Sequence, residues 1–360
     1  MSAVLFALAL LAALFVGYNI GGATTAPAFG PAVGASLVSK LVAGLLMSTF
    51  FALGAWTIGR RVVDTLGDGI VGGADVFTLQ ASVIVLGFIG CSLFVGNRFG
   101  VPASTSMTTV GAIAGLGFAT GELEYGVLSE IVVWWVIAPI IGFAVAVVIG
   151  RFFYGYVEAW IDTHRSEGHL IDLDRSRSIP VPQTAVRSRG ELFGGGLVLL
   201  VGCLMAFSSG SSNVANVIAP LVGSGELSMN PAILGASLAV AAGALTIARR
   251  TLETLGNEIT ELPLPAAVVV ATVSAILVVG LSALGIPASF VVIATLCIAG
   301  VGWGRTLRSE SPSSGPAATD GGESEGPEFD PTKTARVVAM QHVIPMIATV
   351  GAYLTFAFLV

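Results

Sequence analysis

The chain has 360 residues, 54% of them hydrophobic and only 11% charged, with 46 glycines and a formal net charge of −6. Soluble domains carry about 25% charged residues, so that class is excluded, and the expected class is an all-α polytopic membrane protein whose surroundings are the lipid bilayer. No acid pair, nucleophile–base pair or metal-ligand cluster falls inside the apolar runs, which argues against an enzyme, and no nucleic-acid partner is expected.

Charge-free runs recur at 2–17, 41–59, 76–96, 101–120 and 131–150, and again at 192–209, 227–248, 262–284, 286–304 and 337–360. Most approach or exceed the roughly 20 residues that a spanning helix needs, which predicts ten candidate spans. The first lacks the basic start and small-residue cleavage site of a signal peptide and reads as a retained span. The runs at 101–120 and 286–304 open on Val-Pro-Ala-Ser and Ile-Pro-Ala-Ser and are candidates for re-entrant segments. Cys91, Cys203 and Cys297 lie within apolar runs, have no CxxC or His partner nearby, and are expected to be buried and unbridged. Residues 151–191, mixed in charge and holding His164 and His169, read as a cytoplasmic linker. A Ser-, Gly-, Pro- and acid-rich stretch predicts a disordered loop over 306–333. The expected division is a first transmembrane repeat at 1–150, the linker at 151–191, and a second repeat at 192–360 interrupted by the acidic loop.

The two halves repeat one another. "GGATTAPAFGPAVG" (21–34) matches "GSSNVANVIAPLVG" (210–223) at an offset of 189, pairing Gly21, Ala26, Pro31, Val33 and Gly34 with Gly210, Ala215, Pro220, Val222 and Gly223. The same offset carries "RRVVDTLGDGI" (60–70) onto "RRTLETLGNEI" (249–259) without a gap. After a four-residue slip "GVPAS" (100–104) meets "GIPAS" (285–289), and "VIAP" (136–139) resembles "HVIP" (342–345). About five spans per half is an odd number, so the second copy enters the membrane from the opposite face, the inverted-repeat architecture of secondary transporters. Arg98, the central linker, Arg249, Arg250, Arg305, Arg308 and Lys333 fall on one face, against chiefly Arg60 and Arg61 on the other. The positive-inside rule makes the first face cytoplasmic and both termini external, in a multi-pass plasma-membrane protein.

Such transporters bind substrate near the bilayer midplane at broken helices, marked by corresponding Gly/Pro-interrupted segments. Two symmetric pairs qualify, 21–34 with 210–223 and 100–111 with 285–296. Helix N-termini with neutral Ser, Thr and Asn donors describe an oxyanion site. Asn213 and Asn216, three apart on one helical face, are the least compatible with packing alone.

At these residues the sequence resembles the inorganic phosphate transporter (PiT) family, whose repeats each carry Gly-Ala-Asn-Asp-x-Ala-Asn-Ala followed later by Pro-Val-Ser-Thr-Thr-His. "GSSNVANV" fits the first signature at Gly210, Val214, Ala215 and Asn216, and "VPASTSMTTVG" resembles the second at Pro102, Ser104 and Thr105. The resemblance implies symport of inorganic phosphate with sodium or protons by alternating access. It assigns substrate contact to Asn213, Asn216, Ser104, Thr105, Ser289, Thr24 and Ser212, and ion coupling to Asn213, Asn216, Thr24 and Thr25. Both signature aspartates are replaced, by Thr24 and Asn213, while Met107 and Val292 stand where His is expected, and Phe290 and Val291 replace a Thr pair. Neutral oxygens can still hold sodium weakly, with the anion supplying counter-charge. An acid-free donor site also suits fully ionised sulfate, so phosphate is the first expectation and sulfate, or an uncoupled anion channel, the alternative. No resident cofactor is expected beyond a sodium ion, and a homo-oligomer is left open.

Overall fold

Apolar runs of this length have one way to satisfy their backbone in hydrocarbon without a barrel, which is to become helices. The computed structural model describes residues 2–72, 76–98, 104–161, 171–174, 181–184, 189–258, 262–309 and 331–359. These form α1 (Ser2–Gly34), α2 (Lys40–Gly69), α3 (Leu79–Arg98), α4 (Thr105–Thr120) and α5 (Tyr125–Ile161). After a short antiparallel hairpin of β1 (Ile171–Asp174) and β2 (Val181–Thr184) come α6 (Arg189–Gly223), α7 (Met229–Glu258), α8 (Leu264–Ala283), α9 (Phe290–Ser309) and α10 (Pro331–Leu359). Among the described residues nine helices are long and apolar enough to cross a membrane. The exception is α4, whose 16 residues reach only about 24 Å at 1.5 Å per residue.

Two expectations are corrected here. The Gly/Pro segments 21–34 and 210–223 are not breaks: they are the unbroken C-terminal ends of α1 and α6, which run for 33 and 35 residues through Pro27, Pro31 and Pro220. Proline removes one helical hydrogen bond, but in an apolar setting no water competes for the remaining ones, so the helix continues. The interruptions lie at the other expected pair, at Ser104 ahead of α4 and between α8 and α9, where residues 286–289 are non-helical. The second correction is Cys91, which is exposed on the outer surface, whereas Cys203 and Cys297 are buried; all three are free. Helix also extends into both expected loops, to Ile161 and Ser309 on one side and from Arg189 and Pro331 on the other. Residues 310–330 of the acidic stretch lie outside the described residues.

The packing is built on close helix crossings that only glycine permits. Gly21 of α1 lies against the Val240 carbonyl of α7, and Gly210 of α6 against the Phe51 carbonyl of α2; a Cβ at either would collide with the opposing backbone. Gly54 of α2 meets the Phe207 carbonyl of α6, as Gly243 of α7 meets the Tyr18 carbonyl of α1. Adding 189 to one residue of the first contact in each pair and subtracting it from the other gives the second contact. The same exchange of halves recurs more coarsely, with α4 packing along α10 and α9 along α5. At the turn after α8, Arg61 of α2 donates to the Ala283 carbonyl, occupying an otherwise unpaired helix-end acceptor.

Candidate functional site

Ser104 and Ser289 begin the two interrupted helices in the same way. Ser104 is the N-cap of α4, its hydroxyl accepting from the Met107 N–H at 3.2 Å. Ser289 accepts from the Val292 N–H at 3.4 Å at the start of α9. Both side chains are buried. Each cap satisfies one orphan amide and leaves the hydroxyl proton to donate elsewhere, at the positive end of a helix dipole.

The face of α6 carrying Ser212, Asn213 and Asn216 meets both of these interruptions. Thr105 donates its hydroxyl to Asn213 Oδ1, and Asn216 Nδ2 donates to the same oxygen at 3.0 Å. Asn213 Nδ2 donates in turn to Ser209 Oγ at 3.1 Å. Ser212 donates to the Ala288 carbonyl at 2.9 Å and accepts from the Ala288 N–H at 3.4 Å, while Ser106 donates to the same carbonyl at 3.0 Å. Asn213 is 10 residues before Gly223, so the cluster lies roughly 15 Å from the end of α6, within a helix long and apolar enough to cross a membrane.

Five of the seven expected substrate residues are therefore brought together: Ser104, Thr105, Ser212, Asn213 and Asn216 gather on α4 and α6, with Ser289 immediately beyond Ala288. Thr24 and Thr25 do not join them. Their hydroxyls donate to the Ile20 and Gly21 carbonyls of their own helix, at 2.8 and 2.7 Å. The residues that the sequence repeat pairs differ at these places. The mates of Thr105 and Ser106 are Phe290 and Val291, and the mate of Ser212 is Ala23. The repeat mates of the bonding residues thus lack hydroxyls, and Thr24 bonds within α1. Ser106 and the Ala288 carbonyl were not among the expected site groups, although Ser106 lies within the hydroxyl-rich string that contains Thr105. Pro102 lies outside the described residues.

Among the described residues no acid or base hydrogen-bonds within this cluster. Among the described residues no group of three or more His, Cys, Asp or Glu side chains is placed to hold a metal ion. One acceptor stands out, because Asn216 is fully buried and its Oδ1 has no hydrogen-bond partner. An unmet buried acceptor costs about 1–3 kcal/mol, so this oxygen is available to a donor or a cation. Beside the cluster a small cavity is lined by Met107, Trp135, Pro139, Ser289 and Val292 among others. It has room for about one water, less than a tetrahedral oxyanion requires. Met107 and Val292 occupy the positions where the resemblance expects histidine, and they make this wall apolar.

Comparison with known proteins gives the same fold and relatives named for different anions. The profile of the phosphate transporter family matches residues 20–351. The sulfate permease CysP of Bacillus subtilis is 32% identical over 297 residues, covering 82% of this chain and 76% of that protein. A solved structure described as the sodium-dependent phosphate transporter superposes with a TM-score of 0.72 at 18% identity, covering 98% of each chain.

Proposed function

The chain belongs to the phosphate transporter family, and from that premise we propose that it moves a tetrahedral oxyanion, in the first place inorganic phosphate, across the plasma membrane by alternating access. It is a multi-pass membrane transporter rather than an enzyme. The observation that carries the substrate reading is the neutral cluster of Ser104, Thr105, Ser106, Ser212 and Asn213 at the buried N-terminus of α4. Hydroxyl, amide and backbone N–H donors at a helix start are what a polyanion needs in hydrocarbon.

Two inverted repeats underlie the mechanism. Their support is the exchange of glycine contacts between α1–α7 and α6–α2 at an offset of 189. Rocking one repeat against the other would open the cluster alternately to either side. The cavity, too small for an oxyanion, fits a closed form that must move to admit substrate. The positive-inside count favours external termini. Coupling to sodium or protons is supported by the fold's likeness to a sodium-dependent transporter and by the unpartnered Asn216 Oδ1. With no carboxylate in the cluster, the anion itself supplies the charge that offsets a co-transported cation.

A second reading, sulfate, is favoured by two features. Hydrogen phosphate brings a proton that a carboxylate would accept best, and the carboxylate position is Asn213. Sulfate offers only acceptors, and the 32% identical relative is named a sulfate permease. Uptake of labelled phosphate and sulfate into proteoliposomes, with and without a sodium gradient and at two pH values, separates the readings. Phosphate uptake that rises with an inward sodium or proton gradient is the expected result. Preference for sulfate selects the second reading, and indifference to both gradients removes coupling. Absence of acceleration by unlabelled anion outside the vesicle would sink the carrier mechanism in favour of a channel.

A further inference from the structure

We propose that Gln341 of α10 is a further oxyanion ligand, donating its side-chain amide at the start of α4; this rests on the oxyanion reading above. Gln341 is 2% exposed and its Nε2 has no hydrogen-bond partner. It lies on the inward stripe of α10 that continues through Ala348 and Ala352, both fully buried, while Met346 and Ile347 face outward. A buried amide donor left unmet in hydrocarbon is costly, so such a group is retained where something arrives to accept from it.

The helix register says where that is. A Cβ on Gly111 of α4 would meet Thr349 and the Pro345 carbonyl, and one on Gly115 would meet the Thr349 carbonyl and the Tyr353 N–H. The two helices thus run parallel, and Gln341, one turn before Pro345, is level with the first turn of α4, Thr105 to Met107. Side chains on a helix lean toward its N-terminus, which carries the amide toward the Ser104 cap. Repeat symmetry offers a control within the molecule. Trp135 precedes Pro139 by four residues, as Gln341 precedes Pro345, and its Nε1 donates to the Pro287 carbonyl at 2.7 Å, just before α9. On the apolar side of the site the corresponding donor is spent on backbone. On the polar side, where the hydroxyls gather, it is unspent.

The test uses the purified full chain, with inorganic phosphate and sulfate as probes. Anion-dependent thermal stabilisation in detergent and proteoliposome uptake are measured for wild type, Gln341→Leu and Gln341→Glu. Loss of one ligand hydrogen bond predicts a rise in KM of roughly tenfold for Gln341→Leu, with the anion-induced shift in Tm reduced and the anion-free Tm near that of wild type. Gln341→Glu keeps the shape but sets a negative charge against the anion, and predicts a larger rise. If Gln341→Leu or Gln341→Glu keeps the wild-type KM and Tm shift, the inference falls. It also falls if both variants lower Tm equally with and without anion at unchanged KM, the pattern of a donor spent on the backbone ahead of Ser104. A wild type that responds to neither anion sinks the transporter reading and this inference together.

Discussion

Thr105 and Asn213 are 108 residues apart in the chain and share a hydrogen bond, the hydroxyl of one donating to the side-chain oxygen of the other. That oxygen also receives Asn216 Nδ2, so one neutral amide joins the first turn of α4 to α6. Its position is the one where the family signature has an aspartate. Replacing a carboxylate by an amide keeps the geometry of acceptance and removes the charge, so any cation that enters with an anion meets only neutral oxygens there.

Asn213→Asp is therefore expected to make uptake strongly cation-dependent. A carboxylate about 4 Å from a bound anion opposes it by roughly 4 kcal/mol at an effective dielectric constant of 20. Without sodium at neutral pH, uptake should fall at least tenfold, a conservative reading of that energy. Sodium should restore it, as should lowering the pH enough to protonate the new acid. Uptake by Asn213→Asp equal to wild type in sodium-free buffer would contradict a site in which residue 213 faces the anion.

The hydroxyls on the two sides of the molecule should respond differently to removal. Ser212→Ala deletes a donor and an acceptor to Ala288 and loosens the non-helical segment that presents Ser289. A cost of about 1–2 kcal/mol and a clear drop in uptake are expected. Thr24→Val and Thr25→Val remove hydroxyls that only back-bond to their own helix, and should leave uptake within about twofold of wild type. Parallel kinetics of the three variants decide the matter, and equal losses in all three would place Thr24 and Thr25 back in the site.

Much of this arrangement is legible before any coordinates. The 189-residue offset identifies the repeat, and the signature-like strings identify α4, α6 and the start of α9. Of the two expected pairs of breaks, 100–111 with 285–296 is legible and the other misleads, because Gly and Pro in 21–34 and 210–223 have the composition of an interruption, yet the glycines serve helix crossings and the prolines are absorbed. The one-sidedness of the site is not legible, since Thr24 and Asn213 are mates under the offset of 189, yet only Asn213 bonds to another helix. Gln341 is a lone amide in an apolar run, and only its burial and register give it meaning.

The cluster contains no group that titrates near neutrality. His342 is next to Gln341 in sequence but is exposed on the other face of α10. Sulfate, which stays fully ionised, should be taken up at a nearly constant rate between about pH 6 and 8, where an unperturbed histidine changes charge. Phosphate uptake over the same range should follow the protonation of the anion itself. Initial rates for both anions, with the pH clamped equally on both sides of the vesicle, check this. A steep sulfate profile would reveal a titrating group on the transport path.

The glycine crossings give the most direct test of the repeat. Gly21→Ala and Gly210→Ala each push a methyl group into an opposing backbone carbonyl, of Val240 and Phe51 respectively. Backbone cannot rotate aside as a side chain can, so the helices must separate, at a cost of about 1–3 kcal/mol for overpacking. Because the two contacts exchange under the offset of 189, their penalties should be similar. Gly87→Ala provides the contrast: a Cβ there has nothing within 4 Å, and replacing a helical glycine with alanine should stabilise by about 0.5–1 kcal/mol. Melting temperatures in one detergent would rank the variants. Should Gly21→Ala melt like Gly87→Ala, or unlike Gly210→Ala, the equivalence of the two crossings would be lost, and with it the support that packing lends to an inverted repeat.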